Sequence, residues 1–523
     1  MSTYLLASCV LLVSALIIKS FKLRASSRAR APYPPGPVPK PVIGNALDFP
    51  GPYEKAYEIY MRWGEECQSD FVFGSALGQN VLVLNKLEDA DELLDRRARL
   101  YSDRPVIPVT QLMGWEWIVP IFRYGKRWRL HRQICQENFR AAAVRRYYPL
   151  LERKTRELCK QFLLDPQNFS QHNKLTSISI PMATMYGYEV NSLEDPCIAA
   201  AEEGLLLGSA LLFPGATWIN AFPILAKLPI PTWLPGASTW RICERVKELA
   251  KVAERIPYEF VKKGMEEGTA SDSLILKLLQ KKEYHGVSSE EEEATRNVAT
   301  TVYSAASDTT ISLTYTFYYL MSIYPEIQKK AQDEIDRVIG QTRLPKLDDR
   351  PSLPYIEAIY RELLRFAPPV PLAIPHGLTE DDYYKGYFIP KGTIVFGNVW
   401  AMTRDEDLYH EASSFKPERF LNDNGCINDD KRILAYGFGR RICAGKHFGS
   451  ATVWMVIASV LACFKLEFQK DDFGNDVEIN HAFIDNGPTR HKAEYHCSFL
   501  PRTPLVEQLL GETIYNQVGT AGV

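Results

Sequence analysis

"YGFGRRICAGKHFG" runs from Tyr436 to Gly449. It holds one cysteine, Cys443, among four glycines, two adjacent arginines and a lysine. An apolar stretch of helical character follows. A cysteine kept for packing normally sits among aliphatic side chains. This one does not, and the rest of the chain has to supply the reason.

The chain has 523 residues, 46% hydrophobic and 24% charged, with a formal net charge of -2. That is ample for a large buried core. The near-neutral charge gives no electrostatic footprint for a polyanion, so no nucleic-acid partner is expected. The 10 cysteines are scattered, without a CxxC pair. A disulfide framework or a zinc site would show paired spacing. Nine of them read as small buried hydrophobes in a reducing compartment.

Thr3 to Ile18, "TYLLASCVLLVSALII", carries no charge and is followed by Lys19, Lys22, Arg24, Arg28 and Arg30. Phe21 and Leu23 extend the apolar stretch towards a membrane span if the lysines snorkel. A signal peptide carries its positive charges before the apolar core, not after it. The positive-inside rule puts the body of the chain in the cytosol. The reading is a membrane anchor with its basic flank over residues 1–31, a proline-rich hinge over 32–44 ("YPPGPVPKPVIG" within it), and one catalytic domain over 45–523. Five prolines in so short a stretch favour a stiff extended strut.

Most of the body has helical periodicity, so the fold class is mainly α with small β-sheets. "DFVFGSAL" and "NVLVLN" read as strands about Gly78, and "GYFIPKGTIVFGN" as a strand pair about Pro390-Lys391-Gly392. The longest helical run lies between Ser288 and Pro325, with Ser289 as N-cap and glutamates at its positive end. Gly204 to Gly236 is apolar but too often broken by proline and glycine to span a membrane. It is either core or a surface that dips into lipid.

Residues 436–445 fit F-x-x-G-x-R-x-C-x-G with tyrosine at the first position. "AASDTT" at Ala305–Thr310, "ELLR" at Glu362–Arg365, "PERF" at Pro417–Phe420 and the W-x-x-x-R of Trp128 and Arg132 accompany it in order. Together with the anchor and hinge, these motifs resemble the cytochrome P-450 family of haem-thiolate monooxygenases over nearly the whole chain. The finer likeness is to fungal microsomal members, including those of secondary metabolism. The resemblance implies the cytochrome P-450 fold and a haem b (iron protoporphyrin IX) cofactor with Cys443 as axial thiolate. A thiolate pushes electron density to iron and favours O–O cleavage. Glycines at 437, 439 and 445 would let the loop turn against a flat porphyrin, with backbone N–H groups aimed at the sulfur.

By the same resemblance Trp128, Arg132, His376 and Arg441 meet the haem propionates, while Arg440 has no such role and belongs at the surface. Thr309 sits beside bound oxygen and Asp308 lies in the proton path. Read without the family, Thr309 would bond back to its own helix. Alanine at 306, where the family commonly has glycine, should leave the local groove open. Glu362, Arg365 and Arg419 resemble the family's buried charge triad, which serves folding and haem retention. Tyr436 needs a partner for its hydroxyl if it packs under the haem.

The implied reaction inserts one oxygen atom from O2 into a neutral lipophilic substrate, such as a terpenoid, polyketide or aromatic hydrocarbon. Electrons come from NADPH through NADPH-cytochrome P-450 reductase, with cytochrome b5 as an optional second donor, at the endoplasmic reticulum membrane in single-pass topology. Lys126, Arg127, Arg129, His131 and Arg140, with Arg440 and Lys446, would form a basic face for an acidic reductase. The pocket wall is expected on Val106–Phe122, the helix before Asp308, Val370–Ile374 and Asn480–Ile484, all nearly free of charge. Two alternatives stay open: a haem-thiolate isomerase or dehydratase working without reductase, and a non-catalytic haem-binding sensor. The Asp308–Thr309 pair argues against the first, which needs no proton relay.

Overall fold

The computed structural model describes residues 31–51, 54–76, 78–212, 216–228, 230–430, 432–470, 473, 477–478 and 480–518. The apolar stretch and most of its basic flank, residues 1–30, lie outside the described residues.

A central helix, Ser289–Ile323, organises the molecule. Its first turn is capped by Ser288, whose Oγ accepts from the Glu291 N–H at 3.2 Å. The cap is therefore one residue earlier than the sequence suggested, and Glu290 to Glu292 face the positive end of the helix dipole. Pro325 opens the next helix, Pro325–Val338. Helices Lys126–Phe139, Phe169–Tyr186 and Lys446–Cys463 pack on the central helix. Their inward faces form the largest core, in which Trp454, Phe317, Tyr318 and Phe162 are fully buried. Lys446–Cys463 is also the one helix among the described residues long and apolar enough to cross a membrane; most of it is buried, as a core helix.

The β portion is small. Strands β1 (Phe71–Ala76) and β2 (Gln79–Leu84) form a hairpin about Gly78, whose φ of 85° suits glycine. β3 (His376–Gly377), β4 (Asp382–Tyr384), β5 (Tyr387–Ile389) and β6 (Ile394–Gly397) follow. The main sheet has the order β1-β2-β6-β3, with β2 and β6 parallel and Val81 opposite Ile394. The strand pair expected about Pro390-Lys391-Gly392 does not form. Tyr387–Ile389 and Ile394–Gly397 are both strands but do not pair, since β5 pairs with β4 and β6 with β2 and β3. The remaining two-stranded sheets are β7 (Phe464–Phe468) with β10 (Cys497–Pro501), and the hairpin of β8 (Phe483–Asn486) with β9 (Thr489–Lys492).

The proline-rich segment lies against this sheet. The Phe73 N–H donates to Pro35 O at 2.7 Å, and the Phe388 N–H to Pro32 O at 2.8 Å. Tyr33 stacks on Phe73 with ring centroids 5.2 Å apart. Gly36 is held so close that a Cβ there would lie 1.8 Å from Phe73 O. This stretch joins the folded body instead of standing off from it.

Candidate functional site

The cysteine loop sits between a short turn at Leu434–Tyr436 and the helix Lys446–Cys463. Two glycines have a structural reason. Gly437 has φ 78°; Gly439 has φ 50°, and a Cβ on it would meet Leu94 O at 2.1 Å. Gly445, at φ -91°, contributes its N–H instead, donated to the Cys443 sulfur. The Cys443 N–H donates to Tyr436 O at 2.8 Å, which closes the loop. Arg132 Nη1 donates to Ile442 O at 2.7 Å and braces the same loop from the helix Lys126–Phe139. Burial pushes the Cys443 thiol up, opposed by the Gly445 N–H, Arg132 and Lys446. Even so, Cys443 as a residue keeps accessible surface. Of the other described cysteines, Cys135, Cys159, Cys197, Cys243, Cys463 and Cys497 are buried, Cys67 is half-buried and Cys426 is exposed.

A cationic cluster lies beside the loop. Arg441 is buried; its Nε donates to Ser102 O and its Nη2 to Phe122 O, each at 2.7 Å. Its Nη1 is buried without a partner among the described residues. The guanidinium lies 4.4 Å from the Trp128 ring centroid. Burial pushes Arg441 down to about 10, and buried Arg104 is driven well below its ordinary value by desolvation and by Arg441. His376 is buried, with Nδ1 2.7 Å from Tyr101 O. Desolvation and the two arginines keep it neutral. Asp103, the nearby acid, is engaged by Arg123 Nε and the Tyr124 N–H, each at 2.7 Å.

On the central helix, Ala305 is exposed in mid-helix, among residues that are otherwise buried or half-buried. The helix runs unbroken through Ala305–Thr310, with no bulge at Ala306. Thr309 Oγ1 donates to Ala305 O at 2.9 Å, the back-bond expected of an ordinary helical threonine. Asp308 turns the other way, its Oδ1 3.2 Å from His491 Nε2 on β9. The two residues are thus adjacent in sequence but differently engaged.

Glu362 and Arg365 are fully buried, at 0% and 2% side-chain exposure, and joined at 2.6 Å. Arg419 Nε reaches Glu362 at 3.2 Å, and the Lys416 N–H donates to Glu362 Oε1 at 2.7 Å.

The Cytochrome P450 family profile matches residues 34–492. The chain is 36% identical over 487 residues to "Cytochrome P450 monooxygenase COX2" of Coprinopsis cinerea, covering 92% of this chain and 91% of that one. It is 35% identical over 512 residues to "Cytochrome P450 monooxygenase claR" of Ampulloclitocybe clavipes, covering 95% and 91%. It is likewise 35% identical over 505 residues to "Tryptamine 4-monooxygenase" of Psilocybe cyanescens, covering 94% and 98%.

The chain belongs to the cytochrome P450 family. It is a monooxygenase, and the family carries haem. The residues of this cytochrome P450 fit that group: the one orphaned donor of Arg441 sits in a cluster with a surplus of positive charge, which suits haem's carboxylates. Cys443 supplies a sulfur that accepts the Gly445 N–H, in a loop that Arg132 braces through Ile442 O. Trp128, His376 and Arg441 come together; Arg132 is turned to the cysteine loop. Tyr436 finds its partner in Tyr360, hydroxyl to hydroxyl at 2.7 Å.

Some expectations need correction. His131 is 1% exposed, held between Arg127 O and Asn297, and cannot belong to a basic face. Lys126 and Arg127 are offset by Glu290 at 3.6 Å and Glu293 at 2.8 Å. Arg129 and Arg440 instead flank Tyr124, each 5.8 Å from its ring centroid, and Arg440 is exposed as expected.

A cavity of about 600 Å³ lies between the N-terminal segment, the main sheet and Leu212, Ala216, Thr217, Trp218 and Ala221. Of the expected wall, Ile107, Ile121 and Pro371–Ile374 line it, whereas no described residue of the central helix and no residue of the cysteine loop does. Asn480–Ala482 and Ile484 are exposed; Asp485, Gly487 and Pro488 line the cavity instead. Nor is the wall free of charge, because Glu54 and Asp485 border it. Glu116 is exposed. Arg104 and His491 went unremarked in the sequence, where neither stands at a motif spacing.

Proposed function

We propose that this cytochrome P450 oxygenates a neutral lipophilic substrate with electrons passed from NADPH by a flavoprotein reductase. The proposed cofactor is haem b, which Cys443 Sγ would hold as a thiolate ligand. When bound, haem supplies the oxygen-activating chemistry that the thiolate promotes. The chain's own residues do the rest. Arg441, Trp128 and His376 hold the propionate side, and Arg132 holds the cysteine loop. Asp308 collects protons and Thr309 Oγ1 passes them on once its back-bond to Ala305 opens. Glu362, Arg365 and Arg419 keep the scaffold rigid.

The apolar 600 Å³ cavity is the observation that carries the substrate reading. Around it and along 204–236 lie exposed apolar side chains: Leu47, Trp218, Ile224, Leu228 and Trp233. A lipid surface covers such a patch well. It supports a catalytic domain, proposed for 45–523, that rests on the endoplasmic reticulum membrane through this face, the 32–44 segment and an anchor in 1–31. Arg129, Arg440 and Lys446 then form the reduced basic face offered to the reductase or to cytochrome b5.

A second reading, an aromatic amine, rests on Asp485 at the cavity wall and on the relative named for tryptamine. Spin-shift titration of the haem spectrum separates the two. Neutral polycyclic compounds should bind at least tenfold tighter than their cationic amine analogues. Tighter binding of the amines overturns the neutral reading. Cys443→Ser, the control, should lose the thiolate-type spectrum of the reduced carbon monoxide complex.

A further inference from the structure

Asp308 is not free to act where the central helix presents it. Its Oδ1 lies 3.2 Å from His491 Nε2, and Thr489 also hydrogen-bonds its carboxyl. Both partners are on β9. Lys174, from the helix Phe169–Tyr186, adds positive charge from a third element while pairing with Glu202 at 2.7 Å. One turn further along the central helix, on the same face, Ser312 Oγ donates to Arg490 O at 2.5 Å. The Arg490 N–H in turn donates to Pro369 O at 2.9 Å. β9 is therefore fixed to the helix at successive turns, and His491 has little freedom to move away from Asp308.

The electrostatics agree with this geometry. Burial pushes the Asp308 carboxyl up, but His491 and Thr489 outweigh it and hold the group below its usual range. The carboxyl is 35% exposed and the imidazole 17%, so the pair forms a half-buried link between the helix and the surface. Thr309, the next residue, is turned about 100° around the helix.

We infer that His491 is a positioning residue for proton delivery: it holds the Asp308 carboxyl on the β9 side of the central helix, at the start of the route to Thr309. The inference rests on the reading of Asp308 as the proton-delivering acid. Without His491 the carboxyl loses its ion-pair partner on β9, keeps only the Thr489 hydrogen bond there and swings towards water, and protons arrive late. Electrons already delivered are then lost as hydrogen peroxide.

The test uses the full-length, haem-loaded enzyme with reductase and a substrate found by spin shift. His491→Ala should lower coupled turnover roughly tenfold, below the 10²–10⁴ that acid–base catalysis supplies in full. Peroxide should rise correspondingly, with the substrate dissociation constant and the carbon monoxide spectrum unchanged. His491→Gln keeps a donor and should recover at least half of the coupling; failure to recover overturns the role of the hydrogen bond. A crystal structure of His491→Ala should show Asp308 displaced from β9, and an unmoved Asp308 also overturns the inference. If Asp308→Asn uncouples the enzyme while His491→Ala does not, His491 has no such role although Asp308 keeps its own. If neither uncouples, the relay reading falls with it.

Discussion

Two buried arginine clusters in this cytochrome P450 are neutralised in opposite ways. In the first, all five N–H donors of Arg365 are used: two on Glu362, and one each on Thr403, Ala412 and Ser414 carbonyls. Glu362 also accepts from Arg419 and from the Lys416 N–H. In the second, Arg441 depresses Arg104, Asp103 is hydrogen-bonded to Arg123 and Tyr124, and Arg441 Nη1 has no partner among the described residues. A buried polar group left unsatisfied costs about 1–3 kcal/mol. A closed network can persist for the sake of the fold. An open one persists only if something else completes it, and an anionic group is what this one lacks.

The closed cluster should show the larger effect. Glu362→Ala strands Arg365 in the interior, which costs about 3–5 kcal/mol. Against a total stability of about 5–15 kcal/mol, little folded protein should survive. Thermal melting with or without haem reads it out. A melting temperature within a degree or two of the wild type would erase the distinction between the clusters.

The open cluster should respond differently. Arg441→Met removes a cation that burial and Arg132 already disfavour, at the cost of its contacts to the Ser102 and Phe122 carbonyls, so the haem-free chain should lose far less stability than in Glu362→Ala. Haem binding, by contrast, should weaken by roughly 10–100-fold, the worth of a charged hydrogen bond of about 1.5–3 kcal/mol. Haem transfer to an acceptor protein measures this. If Arg441→Met destabilises the haem-free chain as much as Glu362→Ala and leaves haem transfer unchanged, Arg441 belongs to the closed class.

The same contrast marks how far the sequence could be read. Glu362 and Arg365 are three apart on one helix, and the cysteine loop is contiguous, so local spacing exposes both. Arg104 and His491 act through tertiary neighbours: Pro120, Ile374 and Pro375 carbonyls for one, Asp308 for the other. Nothing in "YSDRPV" or "TRHKAE" signals those contacts. Strand type followed from composition in "GYFIPKGTIVFGN", but its partners did not, because β6 is claimed by β2 and β3 from distant parts of the chain. His131 failed for a related reason. A histidine among basic residues reads as surface, yet its helix face is set by contact with the central helix.

Tyr436 offers the smallest and sharpest test. It replaces the family's first aromatic in the cysteine motif, and its hydroxyl meets that of Tyr360 at 2.7 Å. Tyr360 is itself fully buried, with the Arg350 guanidinium 4.9 Å from its ring centroid. The pair therefore links the cysteine loop to the helix Pro354–Phe366 that carries Glu362 and Arg365. Tyr436→Phe removes one hydroxyl and leaves the other with its Ser450 contact alone, a loss of about 0.5–1.5 kcal/mol. Melting should fall by a few degrees at most, and haem transfer should hardly change, because the Gly445 N–H on the sulfur and the Arg132 brace on Ile442 O stay in place. If Tyr436→Phe instead releases haem as readily as Arg441→Met, the hydroxyl pair belongs to the site and the loop depends on the closed scaffold for its grip. The double variant Tyr436→Phe with Tyr360→Phe decides between these: two apolar rings in contact should recover most of the lost stability, since no tyrosine hydroxyl is then left short of a partner.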